Sequence, residues 1–258
     1  MTVNSYLSSL ASELVLSESE KDSITTSIDT LKRRLGSYFT GGEIEEKFIF
    51  GSYTRNTILP RKYDEDSDID FMIVFDNSKK YTPQTFLNWL KKFAEYWYQT
   101  SEIYQSSPTM VLELNHIKFE LVPAYKEYSW STSYYIPDGP SRWRLTTPKE
   151  DDEKLMQCNK DNNYIIKPVV RLIKHWNIKK NDRRDPSFEI ERNIANGFYY
   201  FCSSYTYYLK KSLQTIRTYS NGDHVDRAIA GIDKALEYEN DNMPYSALAT
   251  IKEFFPES

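Results

Sequence analysis

Two aspartates separated by one residue, Asp68 and Asp70 in SDIDFMIVF, are the side chains whose type and spacing most plainly suit chemistry. Alternate side chains of a strand share a face. Ile69, Phe71, Ile73 and Phe75 are therefore expected on the core side and both carboxylates on the other, roughly 6.6 Å apart at a rise of about 3.3 Å per residue. Such a pair can converge on one or two hard cations, and an all-oxygen donor set suits magnesium, with manganese as a substitute. Two ions about 3.5 to 4 Å apart act on different oxygens, one activating an attacking hydroxyl while the other steadies a triphosphate and its pyrophosphate leaving group. A third carboxylate completes such a cage. Glu120 in IKFELV is the candidate by context, and spacing alone does not separate it from Glu113. The ordinary alternative is that Asp66, Asp68 and Asp70 form an acidic turn leading into a half-exposed strand.

Gly51-Ser52 precedes this pair, where a strand is expected to end and a helix to begin. Glycine lets the backbone approach a ligand closely, and helix-start N–H groups with a serine hydroxyl can hold phosphate oxygens. By itself Gly-Ser is a common turn.

These residues need elements to position them. Ser17-Glu-Ser-Glu20 reads as a capping box opening a long helix, with Ile24, Ile28, Leu31 and Leu35 as its buried stripe and Gly36 near its end. KFIFGS and IDFMIVF read as strands on either side of a turn or short helix, and FLNWLKKFAEYWYQ as a helix. TMVLEL and IKFELV, separated by Asn115-His116, read as a hairpin. From about residue 150 the pattern turns helical: KPVVRLIKHWN, a run from PSFEIERN through FYYFCSSYTYYLKK, and segments near 225–238 and 244–254. The polar stretch 147–163 is expected to be a linker or exposed loop. In KPVVRLIKHWN the apolar face is Ile165, Val169, Leu172, Ile173 and Trp176, while Lys167, Arg171 and Lys174 fall along another side. That basic stripe would attract a triphosphate if it faced a cleft; the ordinary reading, above all for Lys167, is a solvated charged face.

Composition narrows the classes. The 258 residues are enough for one large domain or two small lobes, and 21 Tyr against 8 Gly is unlike a disordered chain. A net charge of -4 argues against constitutive nucleic-acid binding. Cys158 and Cys202 stand alone and the three histidines lie far apart, which fits no zinc spacing. The first residues lack a signal-peptide pattern and no run reaches about 18 apolar residues, so a cytoplasmic protein without membrane association is expected.

Together, GSYTRNT, SDIDFMIVF and FELVPAY resemble the nucleotidyltransferase superfamily of polymerase-β type, with its Gly-Ser, Asp-x-Asp strand and later acidic strand residue. Within it the chain looks most like the cyclic oligonucleotide synthases of bacterial antiphage systems, the CD-NTases, which are similar to cyclic GMP-AMP synthase and oligoadenylate synthase. Glu120-Leu121-Val122-Pro123-Ala124 fits their acidic residue before two hydrophobics and Pro-Ala. KPVVRLIKHWN resembles the segment whose lysine meets the triphosphate, which would be Lys174. PSFEIE resembles the Ser-aromatic-x-x-Glu segment, in which Ser187 would touch phosphate and Phe188 stack on the base, although Phe188 reads equally as a core aromatic. The terminal FFP also resembles the family's ending. The chain departs from much of the family in having Glu rather than Asp as third carboxylate.

The resemblance implies an α+β protein: a polymerase-β-like core with a small mixed sheet and bracing helix over residues 1–150, and a helical lobe over 151–258, with nucleotide in a central cleft. It implies two magnesium ions on Asp68, Asp70 and Glu120, phosphates held by Gly51, Ser52, Lys174 and Ser187, and nucleoside triphosphates joined into a cyclic di- or trinucleotide that switches on a separate effector protein. Transfer of one nucleotide to a protein, tRNA or antibiotic is a second enzymatic reading, since GSY-x-R and SDID occur in such transferases. A degenerate nucleotide-binding module, prompted by Glu120, is a third.

Overall fold

The computed structural model describes residues 1–128, 132–218 and 220–257, and these divide into two compact units. One holds Ser17–Thr54 and Asp66–Glu150; the other holds Met1–Leu16, Arg55–Glu65 and Asp151–Ser258. The division is thus not one cut near residue 150. The first helix and the segment after the Gly-Ser turn belong with the C-terminal helices, because Leu7, Leu10, Leu14, Leu59 and Tyr63 are buried in the same core as theirs.

The unit around Asp68 and Asp70 is a seven-stranded mixed sheet with two helices. Its strands are β1 (Ile44–Phe50), β2 (Asp68–Phe75), β3 (Glu102–Ser106), β4 (Thr109–Glu113), β5 (Lys118–Tyr128), β6 (Thr132–Asp138) and β7 (Arg142–Thr146). The order is β1-β2-β5-β4-β3, and the far end of β5 pairs with β6, which pairs with β7. Among the described residues only β2 and β5 run parallel. As expected, β4 and β5 form an antiparallel pair around Asn115-His116.

The two faces of β2 have different partners. Phe75 packs on Phe86 of α3 (Pro83–Trp97), whose Phe86, Leu87, Leu90 and Phe93 are buried. On the opposite face Met72 and Val74 join Val122, Ala124, Tyr134 and Ile136, with Phe48 and Phe50 alongside. Asp68 and Asp70 continue that second face toward the start of the strand. The helix α2 (Glu18–Tyr38) begins at the expected capping box, with Ser17 accepting from the Glu20 N–H and Glu20 accepting from the Ser17 N–H, and buries Ile24, Ile28, Leu31 and Leu35.

The helical unit contains α1 (Val3–Glu13), α4 (Pro148–Asp161), α5 (Ile166–Lys180), α6 (Ser187–Ala195), α7 (Tyr205–Ile216), α8 (Gly222–Asn240) and α9 (Pro244–Phe254). Three expectations are corrected. The stretch 147–163 is mostly the helix α4: its Glu, Lys, Met, Gln and Leu residues are good helix formers, and its Leu155 and Asn159 are buried. The run from PSFEIERN is two helices, broken between Ala195 and Tyr205. And in α5 the expected basic stripe is not one solvated face: the residues from Val169 to Asn177, including Arg171, Lys174 and His175, are all buried, and Lys167 is half-buried. Among the described residues no helix is long and apolar enough to cross a membrane.

Candidate functional site

Parallel pairing of β2 with β5 sets Asp70 beside Glu120 and Asp68 beside Lys118. Antiparallel β4 adds Val111 next to Glu120 and Glu113 next to Lys118, while β1 adds Phe50 next to Asp70. Neighbouring strands lie about 4.8 Å apart and laterally paired residues share a face. Two rows therefore cross the sheet, one running Val111, Glu120, Asp70, Phe50 and the other Glu113, Lys118, Asp68. These rows distinguish the two glutamates that spacing left open: Glu120 adjoins Asp70, whereas Lys118 stands between Glu113 and Asp68, with its ammonium 3.7 Å from Asp68 Oδ2.

Glu120 also meets Asp68 directly. Burial pushes its carboxyl up to about 7, and the negative charge of Asp68 and a hydrogen bond with it act in the same sense, against Lys118 and the Thr109 hydroxyl. Burial and Asp68 thus both favour the protonated form of Glu120. The donor set is all oxygen, anionic and confined to one face of adjacent strands, which fits a hard divalent ion chemically. Among the described residues no three acidic, histidine or cysteine side chains form a ready-made cage.

Asp70 is placed by Gly51. This glycine has φ +81°, and a Cβ built there would lie 1.9 Å from Asp70 Oδ2. The carboxylate therefore occupies the space that any other residue's side chain would need. Of the turn or short helix expected after Gly51-Ser52, the structure has the turn: residues 51–56 are turns, and Thr54 closes the first by donating its hydroxyl to the Gly51 carbonyl at 2.8 Å. Ser52 is half-buried on that turn.

The remaining expected contacts lie in the helical unit. Lys174 is 5% exposed and its ammonium is ion-paired with Glu191, itself 3% exposed, and donates to the Thr57 carbonyl at 3.2 Å. Glu191 also accepts from the Arg55 Nε and, at 2.7 Å, from the Thr57 hydroxyl, while Arg55 Nη1 reaches Asp152 at 2.5 Å. Burial works to raise the Glu191 carboxyl, but Lys174 and Arg55 overcome it and hold it below its usual range. Two cations and two carboxylates make this cluster electrically neutral. Arg171, the other member of the supposed stripe, donates to the Asn56 carbonyl at 2.9 Å and to the Ala11 carbonyl. Sequence reasoning missed Arg55, Thr57 and Glu191 as a unit, although Arg55 and Thr57 lie in GSYTRNT and Glu191 closes PSFEIE. Ser187 and Phe188 open α6, one turn ahead of Glu191. Ser187 is exposed, and Phe188 is 46% exposed with the Arg192 guanidinium over its ring. The void beside Phe188 is about 10 Å³, room for one water and not for a base.

Comparison with known proteins adds the class. Residues 1–159 match the Second Messenger Oligonucleotide or Dinucleotide Synthetase domain, and the chain belongs to that family. The matched span contains Gly51, Ser52, Asp68, Asp70 and Glu120. The chain is 27% identical over 149 residues to a probable cyclic nucleotide synthase of Bacillus cereus (strain VD146), covering 55% of this chain and 45% of that protein. It is 24% identical over 227 residues to the cyclic AMP-AMP-AMP synthase of Acinetobacter sp. (strain ATCC 27244 / 9458), covering 84% of this chain and 65% of that one. It therefore spans less than two thirds of the length of these curated relatives. Its fold is shared with Escherichia coli MS115-1 CdnC, solved with ATP and in a complex with HORMA-deltaN, at TM-scores of 0.75 and 0.74 and 14% identity over 98% of this chain.

Proposed function

We propose that this chain is a metal-dependent nucleotidyltransferase that joins nucleoside triphosphates without a template into a cyclic di- or trinucleotide. The observation that carries the reading is the row formed by Asp70 and Glu120, with Asp68 against Glu120 and Gly51 against Asp70. A half-buried acidic group of this kind, beside a glycine turn in a family of second-messenger synthetases, is what phosphoryl chemistry at a dication needs.

In the reaction a ribose hydroxyl of one nucleotide attacks the α-phosphorus of another. The new bond is O–Pα; the Pα–O bond to the β-phosphate breaks and pyrophosphate leaves. Repetition within the product closes the ring. Asp68, Asp70 and Glu120 would hold two magnesium or manganese ions, which when bound supply activation of the hydroxyl and charge stabilisation of the leaving group. Glu120, by helping to hold one of these ions, would favour deprotonation of the attacking hydroxyl. Gly51 keeps the backbone close to Asp70, and Ser52 offers a hydroxyl on the same turn. Ser187, at the N-terminal end of α6, would meet phosphate, and Phe188 would stack on a base through its exposed surface, outside the small void beside it. A triphosphate would reach Lys174 by competing with Glu191.

Antiphage signalling through a separate effector protein follows from the same family reading, and the CdnC complex supports looking for a protein partner. The experiment is incubation of purified protein with four labelled ribonucleotides and magnesium or manganese, followed by phosphatase and chromatography. A phosphatase-resistant product supports the reading and identifies the bases. ATP binding without pyrophosphate release, with or without candidate partner proteins, would replace it with a binding module.

A further inference from the structure

Lys174 is neutralised by Glu191, but three other lysines of the helical unit share a groove. It measures about 730 Å³ on α4 and the start of α5, where Lys154, Lys160 and Lys167 line the walls with Glu153 as the one carboxylate among the lining residues. Among the described residues none of these three ammonium groups has a salt bridge or hydrogen bond, whereas Lys174, Arg55 and Arg171 in the same unit are all held. Lys167 is half-buried all the same. Burial, and then Arg171, pushes its ammonium below the usual lysine range, so an arriving anion would relieve a cost the fold already carries.

The groove also presents a ring. Tyr164 is 66% exposed at its edge and follows Asn163, and both have left-handed backbones, with φ of 62° and 52°. Two successive non-glycine residues in that region are costly, and such strain collects at ligand sites. The turn is pinned by the Tyr164 N–H donating to the Asn159 carbonyl at 2.8 Å, which keeps the ring outside.

We propose that this groove binds a nucleotide, with Lys154, Lys160 and Lys167 contacting its phosphates and Tyr164 lying against its base. Three cations and one exposed ring in a groove of this size match a single nucleoside polyphosphate. A nucleic-acid strand would need a longer track of such features. The site is independent of catalysis at Asp68 and Asp70 and stands whether or not that reading holds.

The test is equilibrium dialysis of the full chain with labelled ATP, with inorganic triphosphate as competitor, in EDTA so that no divalent ion tethers ligand to the acidic pair. Lys160→Glu/Lys167→Gln is expected to weaken ATP at least about tenfold, as removal of two charge-assisted contacts should. Lys154→Glu/Lys160→Glu alters only exposed lysines, so a fold defect does not mask the result, and it is expected to do the same. Tyr164→Ala should weaken ATP about fivefold or more and leave inorganic triphosphate unchanged. Asp68→Asn/Asp70→Asn should bind as the unsubstituted chain does. ATP binding unaffected by both lysine pairs, no binding at millimolar ATP, or binding of a single-stranded oligoribonucleotide without binding of ATP would overturn the proposal.

Discussion

Asp70 stands directly beside Glu120 on parallel strands, and its neighbour on the other side is Phe50, the residue just before Gly51. One lateral row thus joins the aspartate, the third carboxylate and the end of the strand that leads into the glycine turn. Glu120 rather than Glu113 is a consequence of that register; a slip of one residue in β5 would turn Glu120 to the opposite face.

Gly51 is the position where this arrangement tolerates least. Gly51→Ala must adopt a left-handed backbone and place its Cβ on the Asp70 carboxylate. The expected cost is about 1–3 kcal/mol of stability, read from urea denaturation. Pyrophosphate release should fall further than the unfolded fraction explains, because Asp70 is displaced even in folded molecules. An alanine variant with unchanged stability and turnover would show that the close approach does not matter.

Glu120 gives a pH signature in metal-free protein. Its carboxyl is raised from 4.5 to about 7, so between these values the folded chain binds more protons than the unfolded one. Its contribution to stability is therefore present at low pH and is lost as pH rises through that window. Urea midpoints measured in EDTA from pH 4.5 to about 7.5 should show the unsubstituted chain losing stability relative to Glu120→Gln as pH rises. Parallel profiles would mean that the Glu120 carboxyl is not raised in the folded chain.

The Lys174–Glu191 pair predicts a large and non-additive effect. Glu191→Ala leaves Lys174 and Arg55 as buried cations with fewer partners, and a loss of about 3–5 kcal/mol is expected. Lys174→Met/Glu191→Leu removes both charges and should lose less than the sum of the single changes, with a coupling of about 0.5–3 kcal/mol. Chemical denaturation of the four proteins measures this; additive losses would mean that the ion pair contributes nothing as a pair.

Local pattern made much of this legible in the sequence. The capping box at Ser17 and Glu20, the alternation in IDFMIVF and the hairpin around Asn115-His116 each depend on neighbours in sequence, and each is present. What escaped depends on distant residues. Glu191 meets Arg55 across 136 positions, so Lys174 reads as a free phosphate ligand when it is a neutralised member of a buried cluster. Amphipathic spacing in α5 marks one core face but does not reveal that the other side is covered too. The charged composition of α4 reads as loop because few of its side chains are buried, among them Leu155 and Asn159. Membership of α1 in the helical unit is set by burial of Leu7 and Leu10, which no local signal encodes.

Catalysis at the acidic row is tested most directly by pyrophosphate release from nucleoside triphosphates with magnesium or manganese, comparing the unsubstituted chain with Asp70→Asn, which keeps size and register while removing the charge. Asp70→Asn is predicted to fold with unchanged or slightly higher stability, because a crowded negative charge is gone. Its turnover is predicted to fall by about a thousandfold or more, equivalent to roughly 4 kcal/mol of transition-state stabilisation. Equal turnover by the two proteins would contradict a catalytic role for this row.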